Sequence, residues 1–452
     1  MKLPPYPEYK DAGVNWVGSI PSHWPEKRAK YYFKEIDERS QTGDEEMLSV
    51  SHITGVTPRS QKNVTMFMAE SNVGQKRCQP GDLIINTMWA WMSALGVSNH
   101  DGIVSPAYGV YRPISNQDYD YYYLDNLLRI EGYRSEYICR STGIRSSRLR
   151  LYPDKFLSMP VVCPPQEEQQ NIARFLKAQD SLFRKFIRNK RRLIEMLKEQ
   201  KQNVINQAVT RGLDPNVKLK PSGVEWIGDI PANWELSRVK REFRCLNNQR
   251  IPLSATERGA MKQRLYDYYG ASGIIDKVDD YIYDDELLLI AEDGANLVLR
   301  NLQLAIIARG KFWVNNHAHI LKPKIGNIEF LAHCLEQINY LPWISGAAQP
   351  KLTKDRLMAI YIAVPSRKEQ DEIVEFIKQN TATIDYTITR AQREIELMRE
   401  YRTRLISDVA TGQVDVRGIE VLEVAEDVLL ALEEDPEESD DLPGDEAMEA
   451  EE

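Results

Sequence analysis

The chain has 452 residues, of which 58 are basic and 67 acidic, and a formal net charge of −9. Its five scattered cysteines form no CxxC pair, which argues against a zinc site or a disulfide framework. No run approaches the ~18 apolar residues of a membrane span, and the polar stretch Met1–Gly13 lacks the apolar core of a secretory signal, so the cytoplasm is the expected compartment.

The first feature in chain order is Trp16-Val17-Gly18-Ser19-Ile20-Pro21-Ser22-His23-Trp24. It returns 210 residues later as Trp226-Ile227-Gly228-Asp229-Ile230-Pro231-Ala232-Asn233-Trp234, and the match runs on through Arg28/Arg238, Lys30/Lys240 and Phe33/Phe243. Two copies of one unit are therefore expected. The four tryptophans are read mainly as structural, fixing the start of each copy. After the first motif, short apolar runs suggest buried strands at Gly81–Ile85 and at Ile103–Tyr111, the latter interrupted by Pro106. Trp89 and Trp91 are read as core before contact surface. A helix is expected over Tyr121–Leu128. The run Thr142–Arg150 then gathers three arginines, small hydroxyls and a glycine.

Pro164-Pro165-Gln166-Glu167-Glu168-Gln169 closes the first block and is echoed at an offset of 201 by Pro365-Ser366-Arg367-Lys368-Glu369-Gln370. Behind each proline comes a heptad pattern. The a-type series are Leu176, Phe183, Lys190, Leu197, Val204 and Ile377, Ile384, Ala391, Met398, Leu405. The d-type series are Asp180, Ile187, Ile194, Lys201, Ala208 and Thr381, Ile388, Ile395, Arg402, Val409. Five heptads in each copy predict two coiled-coil helices, which stop at Gly212 and Gly412. In the second block, Glu286–Ile290 reads as a strand. Phe312–Val314 and His319–Leu321 bracket the polar turn Asn315–His317, and Ile328–Leu341 reads as a helix. The tail Glu420–Glu452 holds sixteen acidic residues and no basic one. It is expected to be solvated and disordered, with one short amphipathic helix conceivable over Val421–Leu432. Without it the body is net basic, so the overall charge does not exclude a nucleic-acid partner.

The expected organisation is a first variable domain over 1–165, a spacer helix over 166–212, a second variable domain over 213–365, a second helix over 366–412 and the tail over 413–452. The fold class is α+β. No recognisable catalytic motif appears. Gly310-Lys311-Phe312 lacks the first glycine and the hydroxyl of a phosphate-binding loop, and Pro4-Pro5-Tyr6 lacks the polar residue of a methyltransferase motif. His317 and His319 share a strand face but have no third ligand at a recognisable spacing; a turn histidine and a satisfied, half-buried one are favoured. Glu292-Asp293 resembles a nuclease acidic pair only loosely, and a strand-to-loop transition is the simpler reading.

Taken together in order, the WxGxIPxxW opening, Gly102-Ile103-Val104-Ser105-Pro106-Ala107-Tyr108, Val314-Asn315-Asn316-His317-Ala318-His319, the proline hinge and the long helix ending near Gly resemble the specificity subunits of type I restriction–modification systems, to about residue 418. That resemblance implies two target-recognition domains alternating with two long helices, which pack as an antiparallel coiled coil in a pseudo-twofold repeat. Each domain would read one half of a split, asymmetric sequence in double-stranded DNA. It further implies no catalysis by this chain, recruitment of two adenine-N6 methyltransferase subunits, and a translocating nuclease that joins them. S-adenosylmethionine, ATP and magnesium would then belong to the partners, with no cofactor for this chain. The helix Ser181–Val209 would be about 43 Å long, against roughly 34–36 Å for a DNA turn.

The side chains expected at DNA are Arg145, Ser146, Arg148 and Arg150 in the first block, and Gln349, Lys351 and Lys354 in the positionally equivalent run Gly346–Lys354. Arg59, Asn248 and Arg250 are added as polar candidates, with His52 near Arg59. Two rival readings stand beside this one. One is a coiled-coil scaffold that binds proteins and not DNA, which salt-dependent duplex binding would exclude. The other is a nuclease with an unrecognised site, which metal-dependent cleavage by the isolated chain would support.

Overall fold

The structure, a computed structural model, describes residues 3–13, 16–61, 71–115, 119–144, 149–225, 227–346 and 350–421. Trp226, Arg145, Ser146, Arg148, Gln349 and nearly all of the acidic tail, with its conceivable helix, lie outside these residues. The chain forms two compact units: Met1–Arg191 with Arg393–Glu452, and Arg192–Gln392. Each unit contains part of both long helices.

In the first unit a four-stranded antiparallel sheet runs in the order Phe33–Ile36, Gly109–Pro113, Leu83–Ile85, Leu95–Val97. Side chains alternate across it, as the two-residue strand period requires. Leu83, Ile85 and Tyr111 join the main core with the helices Tyr121–Leu128 and Glu131–Arg140. Ile84 and Val110 face a smaller core with Leu48, Val50, Val56 and Val104. Pro106 falls between the strands Gly102–Val104 and Gly109–Pro113, where its missing N–H is harmless. In the second unit six strands run Phe243–Cys245, Ala318–Pro323, Tyr283–Ala291, Ala305–Val314, Tyr266–Gly270, Gly273–Val278. All neighbours are antiparallel except Tyr266–Gly270 beside Ala305–Val314. Here Leu288, Ile290 and Leu321 face the helical core, while Leu287, Leu289 and Ile320 face the other side. The helix Ile328–Gln337 stops before Leu341, shorter than the sequence suggests.

The long helices are Gln166–Arg211 and Arg367–Ala410, about 69 and 66 Å long. They pair antiparallel. In the first unit Asp180 meets Arg402 at 2.5 Å, Phe183 stacks edge-on against Tyr401, and Lys190 meets Glu394 at 2.6 Å. In the second, Lys201 meets Asp385 at 2.6 Å. Leu176, Phe183, Ile187, Ile194 and Ala208 are buried as the heptads require. Near the end of the first helix Ile205 is buried and Val204 only partly so, a one-residue drift of the seam.

The two repeated phrases lock each domain to its helix. Trp24 is fully buried and donates Nε1–H to Glu168 at 2.9 Å; Trp234 is fully buried and donates to Glu369 at 2.8 Å. His23 and Asn233, one residue before each tryptophan, contact the same two carboxylates at 2.6 and 3.0 Å. The glutamines behind them act alike. Gln169 donates to the Pro164 carbonyl and accepts from the Asp120 N–H; Gln370 donates to the Pro365 carbonyl and accepts from the Asn327 N–H. Asp120 and Asn327 are the N-caps of Tyr121–Leu128 and Ile328–Gln337. One Glu-Gln pair thus fixes a tryptophan and a helix start in each unit. A further position of close approach is Gly412, where a Cβ would lie 2.6 Å from Pro21.

Candidate nucleic-acid interface

At one end of each sheet, three segments are zipped into a rim by backbone hydrogen bonds, and the pattern is the same in both units. In the first, Thr142 and Arg150 exchange two bonds of 3.0 Å, which closes the 142–150 loop, and Leu151 N–H then donates to the Thr87 carbonyl at 2.9 Å. In the second, Ser345 and Lys351 exchange two bonds of 2.9 Å, and Leu352 N–H donates to the Glu292 carbonyl at 2.8 Å. Leu151 and Leu352 differ by the same 201 residues as the proline hinges. The pairing of Thr87 with Glu292 makes Ile85 equivalent to Ile290 and, through the strand registers Ile85–Gly109 and Ile290–His319, Ala107 equivalent to His317. The alternation of faces described above agrees with this register at every position.

Arg150 is exposed at the first rim, its guanidinium 3.9 Å from the Met88 sulfur. Trp91 is half-buried there and donates to the Met88 carbonyl. Asn86 donates to the Tyr108 hydroxyl, and Thr87 to the Ala107 carbonyl. Lys351 is exposed at the second rim, with Nζ 3.3 Å from Glu292, and its backbone bridges to Asp293. Lys354 opens the short helix Lys354–Ala359 and is exposed. The structure places Arg150 and Lys351 at equivalent positions of the two rims, with Lys354 three residues beyond Lys351 at the start of a helix.

Arg250 is placed differently from the expectation of a base-reading side chain. Its guanidinium meets Glu292 at 2.5 Å and donates to the carbonyls of Asn316, Ala318 and Asn247. It braces the rim from within, and Asn248 beside it is exposed. Burial opposes the charge on Glu292, but Arg250, His319 and Lys351 together hold its carboxyl below the ordinary range. Arg59 is half-buried in a separate turn, where its N–H donates to Met47. His52 gives its carbonyl to Arg129. Neither is brought to the rim by any of these contacts.

The two histidines are a turn residue and a hydrogen-bonded one, as favoured from sequence, but the second is fully buried where half-burial is expected. His317 is an exposed turn residue; its N–H donates to the Asn315 side chain, and its ring Nδ1 lies 2.9 Å from Asp293. His319 is fully buried, and its Nε2 donates to the Leu352 carbonyl at 2.7 Å while Nδ1 accepts from Asn247. Burial pushes its pKa below the ordinary value. Among the described residues no three His, Cys, Asp or Glu side chains converge as a metal site would require. None of the described helices is long and apolar enough to cross a membrane.

These features define a class of protein: two α+β units of one design, each holding part of two antiparallel long helices and each with a rim that carries a cation among different side chains. The comparisons agree. Residues 231–397 match the type I restriction modification DNA specificity domain. A Haemophilus influenzae protein named as a type I restriction enzyme specificity subunit is 40% identical over 140 residues, a stretch covering 30% of this chain and 34% of that protein. The MjaX specificity subunit of Methanocaldococcus jannaschii is 26% identical over 312 residues, covering 66% of this chain and 68% of its own length. A solved chain from a study of complex assembly and conformational transition in the type I R-M system shares the fold, with a TM-score of 0.64 at 14% identity, over 87% of this chain and 99% of that one. Residues 231–397 thus carry the type I restriction modification DNA specificity domain, and the chain shares the fold of that solved relative over most of its length.

Proposed function

We propose that this chain is the DNA-reading component of a methylating, and with a further subunit restricting, complex. Each head reads one half of a split and asymmetric target. The observation that carries this is the paired rim: one backbone frame built twice, with a cation at the same place (Arg150, Lys351) and different side chains around it. Identical frames hold two reading heads in the same way; different side chains give different half-sites. Two adenine-N6 methyltransferase subunits and a translocating nuclease would supply the chemistry and bind S-adenosylmethionine, ATP and magnesium. The chain itself acts by recognition.

The nuclease alternative finds little support. Glu292 is engaged by Arg250 and Lys351, and Asp293 by His317, so this pair of carboxylates is taken up by cations and a ring of the chain itself. The helix pair is proposed to set the gap between half-sites. One heptad inserted into each helix at matched heights preserves the seam and adds about 10 Å, or roughly three base pairs.

The test is the methylation motif of the complex reconstituted from the full chain and its methyltransferase subunits, together with duplex binding at several salt concentrations. A split motif with different halves, and a log-linear fall of affinity with salt, are expected. A palindromic or uninterrupted motif, or salt-independent binding, would refute the reading.

A further inference from the structure

The rims let the two heads be compared position by position. Arg150 and Lys351 are equivalent, and so are Thr87 and Glu292, Met88 and Asp293, and Ala107 and His317. Where the first head carries a thioether and a methyl group, the second carries an acid and an imidazole. Both members of the polar pair are held in place. Asp293 follows directly on the strand Tyr283–Ala291 and Glu292. The Gly294 N–H behind it donates to the Pro350 carbonyl, and its backbone bridges to Lys351. His317 closes the turn between Ala305–Val314 and Ala318–Pro323, pinned by the buried Asn315 side chain. The imidazole is nevertheless about half exposed, at 47%, while Asp293 is 14% exposed.

Both Asp293 oxygens lie within 3.0 Å of His317 Nδ1. A carboxylate can only accept, so the proton of a neutral ring is on Nδ1. Nε2 is then left as an acceptor on a fixed ring, whose partner Asp293 is bridged through its backbone to Lys351. In the major groove, hydrogen-bond donors are offered by the N6 amino group of adenine and the N4 amino group of cytosine, whereas the polar edge atoms of guanine are acceptors. An acceptor held rigidly at the rim selects between these classes. The apolar pair Met88 and Ala107 lacks any such group and suits a thymine methyl instead.

We propose that His317, with Asp293 as its positioning residue, reads one base of the half-site assigned to the second head, and that this base presents an amino group in the major groove. This rests on the DNA-reading role above and goes further by naming the residue, the kind of base and the reason the two heads differ.

The experiment enriches a randomised duplex library with the complex of the full chain and its methyltransferase subunits, using wild type, His317→Ala and Asp293→Ala. Circular dichroism confirms that each variant is folded; His317 is exposed, so its truncation leaves the core intact. Wild type should show adenine or cytosine at the position concerned. His317→Ala should reduce discrimination there by roughly tenfold or more, with the other half-site unchanged. Asp293→Ala frees the ring to place its proton on Nε2, so the same position should come to accept guanine without a matching loss of affinity for the rest of the site. A purely structural role for Asp293 would weaken every position together. The proposal is overturned if His317→Ala keeps the wild-type preference at all positions, or if the His317-dependent base is guanine. Wild type that enriches no motif would overturn the DNA-reading role itself, which separates the two failures.

Discussion

The two units agree closely at their helix junctions and differ most at their rims. At the junctions Glu168 and Glu369 each take a tryptophan N–H, and Gln169 and Gln370 each take the N–H of a helix cap. At the rims the backbone bonds persist while Met88 and Ala107 give way to Asp293 and His317. The part that holds a domain in place is thus uniform, and the part proposed to meet a target differs. A repeated motif separated by unlike interiors is what this division looks like in a sequence.

The junctions differ in one respect, and it gives the largest expected effect. Glu168 is buried and accepts from Trp24, Tyr6 and His23, with Arg417 at 3.6 Å. Glu369 is half-buried and serves Trp234 and Asn233. Glu168→Ala leaves two buried donors without a partner, and Glu369→Ala leaves one. At about 1–3 kcal/mol for each stranded group, the first should cost about 3 kcal/mol and the second about half that. Denaturant melts of both variants would show the order; equal losses would mean the first junction is not the more deeply tied.

Acid should separate the units next. His319 and His333, both in the second unit, have pKa values lowered by burial. The unfolded chain therefore takes up these protons first as pH falls through about 6.5, and stability declines below that pH by up to about 1.4 kcal/mol per unit for each group. It is fully present above. In the first unit Gly109 stands where His319 does. Between pH 7.5 and 5.5, hydrogen-exchange protection in the full chain, corrected for the intrinsic pH dependence of exchange, should fall in the second sheet and not in the first. Uniform behaviour would contradict the assignment of a neutral buried histidine.

The rim cations should act alike despite their different surroundings. Arg150→Ala and Lys351→Ala should each weaken DNA binding by about 1 kcal/mol and lower the salt slope by about 1, with little change in motif. A change of preferred base in either variant would show direct reading in place of phosphate contact.

Much of the architecture was legible because it depends on local period and on repetition. The heptads up to the drift at Val204, a strand within the run Gly81–Ile85 and one around Glu286–Ile290, the turn Asn315–His317 and the helix Tyr121–Leu128 fall where the pattern puts them. The site was legible in part. The equivalent placement of Arg150 and Lys351 was reachable because they lie in equivalent runs. Arg250 was misleading, since a basic residue in a polar loop looks the same whether it faces DNA or braces Glu292. The Glu-Gln lock was also out of reach: its Trp24–Glu168 bond joins residues 144 apart, and no local period reports such a contact. The signal that could have found it was the recurrence of Glu and Gln at matched places behind both prolines, together with the paired tryptophans.

The smallest effect tests the helix seam, where the two halves carry unlike charges on like positions. In the first unit Asp180 sits between Arg402, at 2.5 Å across the seam, and Arg184, at 2.8 Å one turn along its own helix. At the 201-residue offset the counterparts are Thr381, Asp385 and, for Arg402, Lys201. The acid has moved by one turn, and Lys201 reaches Asp385 instead. Thr381→Asp alone would set two carboxylates four residues apart against one lysine, which is unfavourable at helix spacing. Asp385→Arg alone would remove the partner of Lys201 and add a cation beside it. The two together rebuild the arrangement of the first unit. Each single change should cost about 0.5–1 kcal/mol, and the double variant should lie close to wild type, giving a coupling of at least about 0.5 kcal/mol in a double-mutant cycle. Strict additivity would show that the two ends of the helix pair are not equivalent environments, despite sharing a heptad frame and an offset.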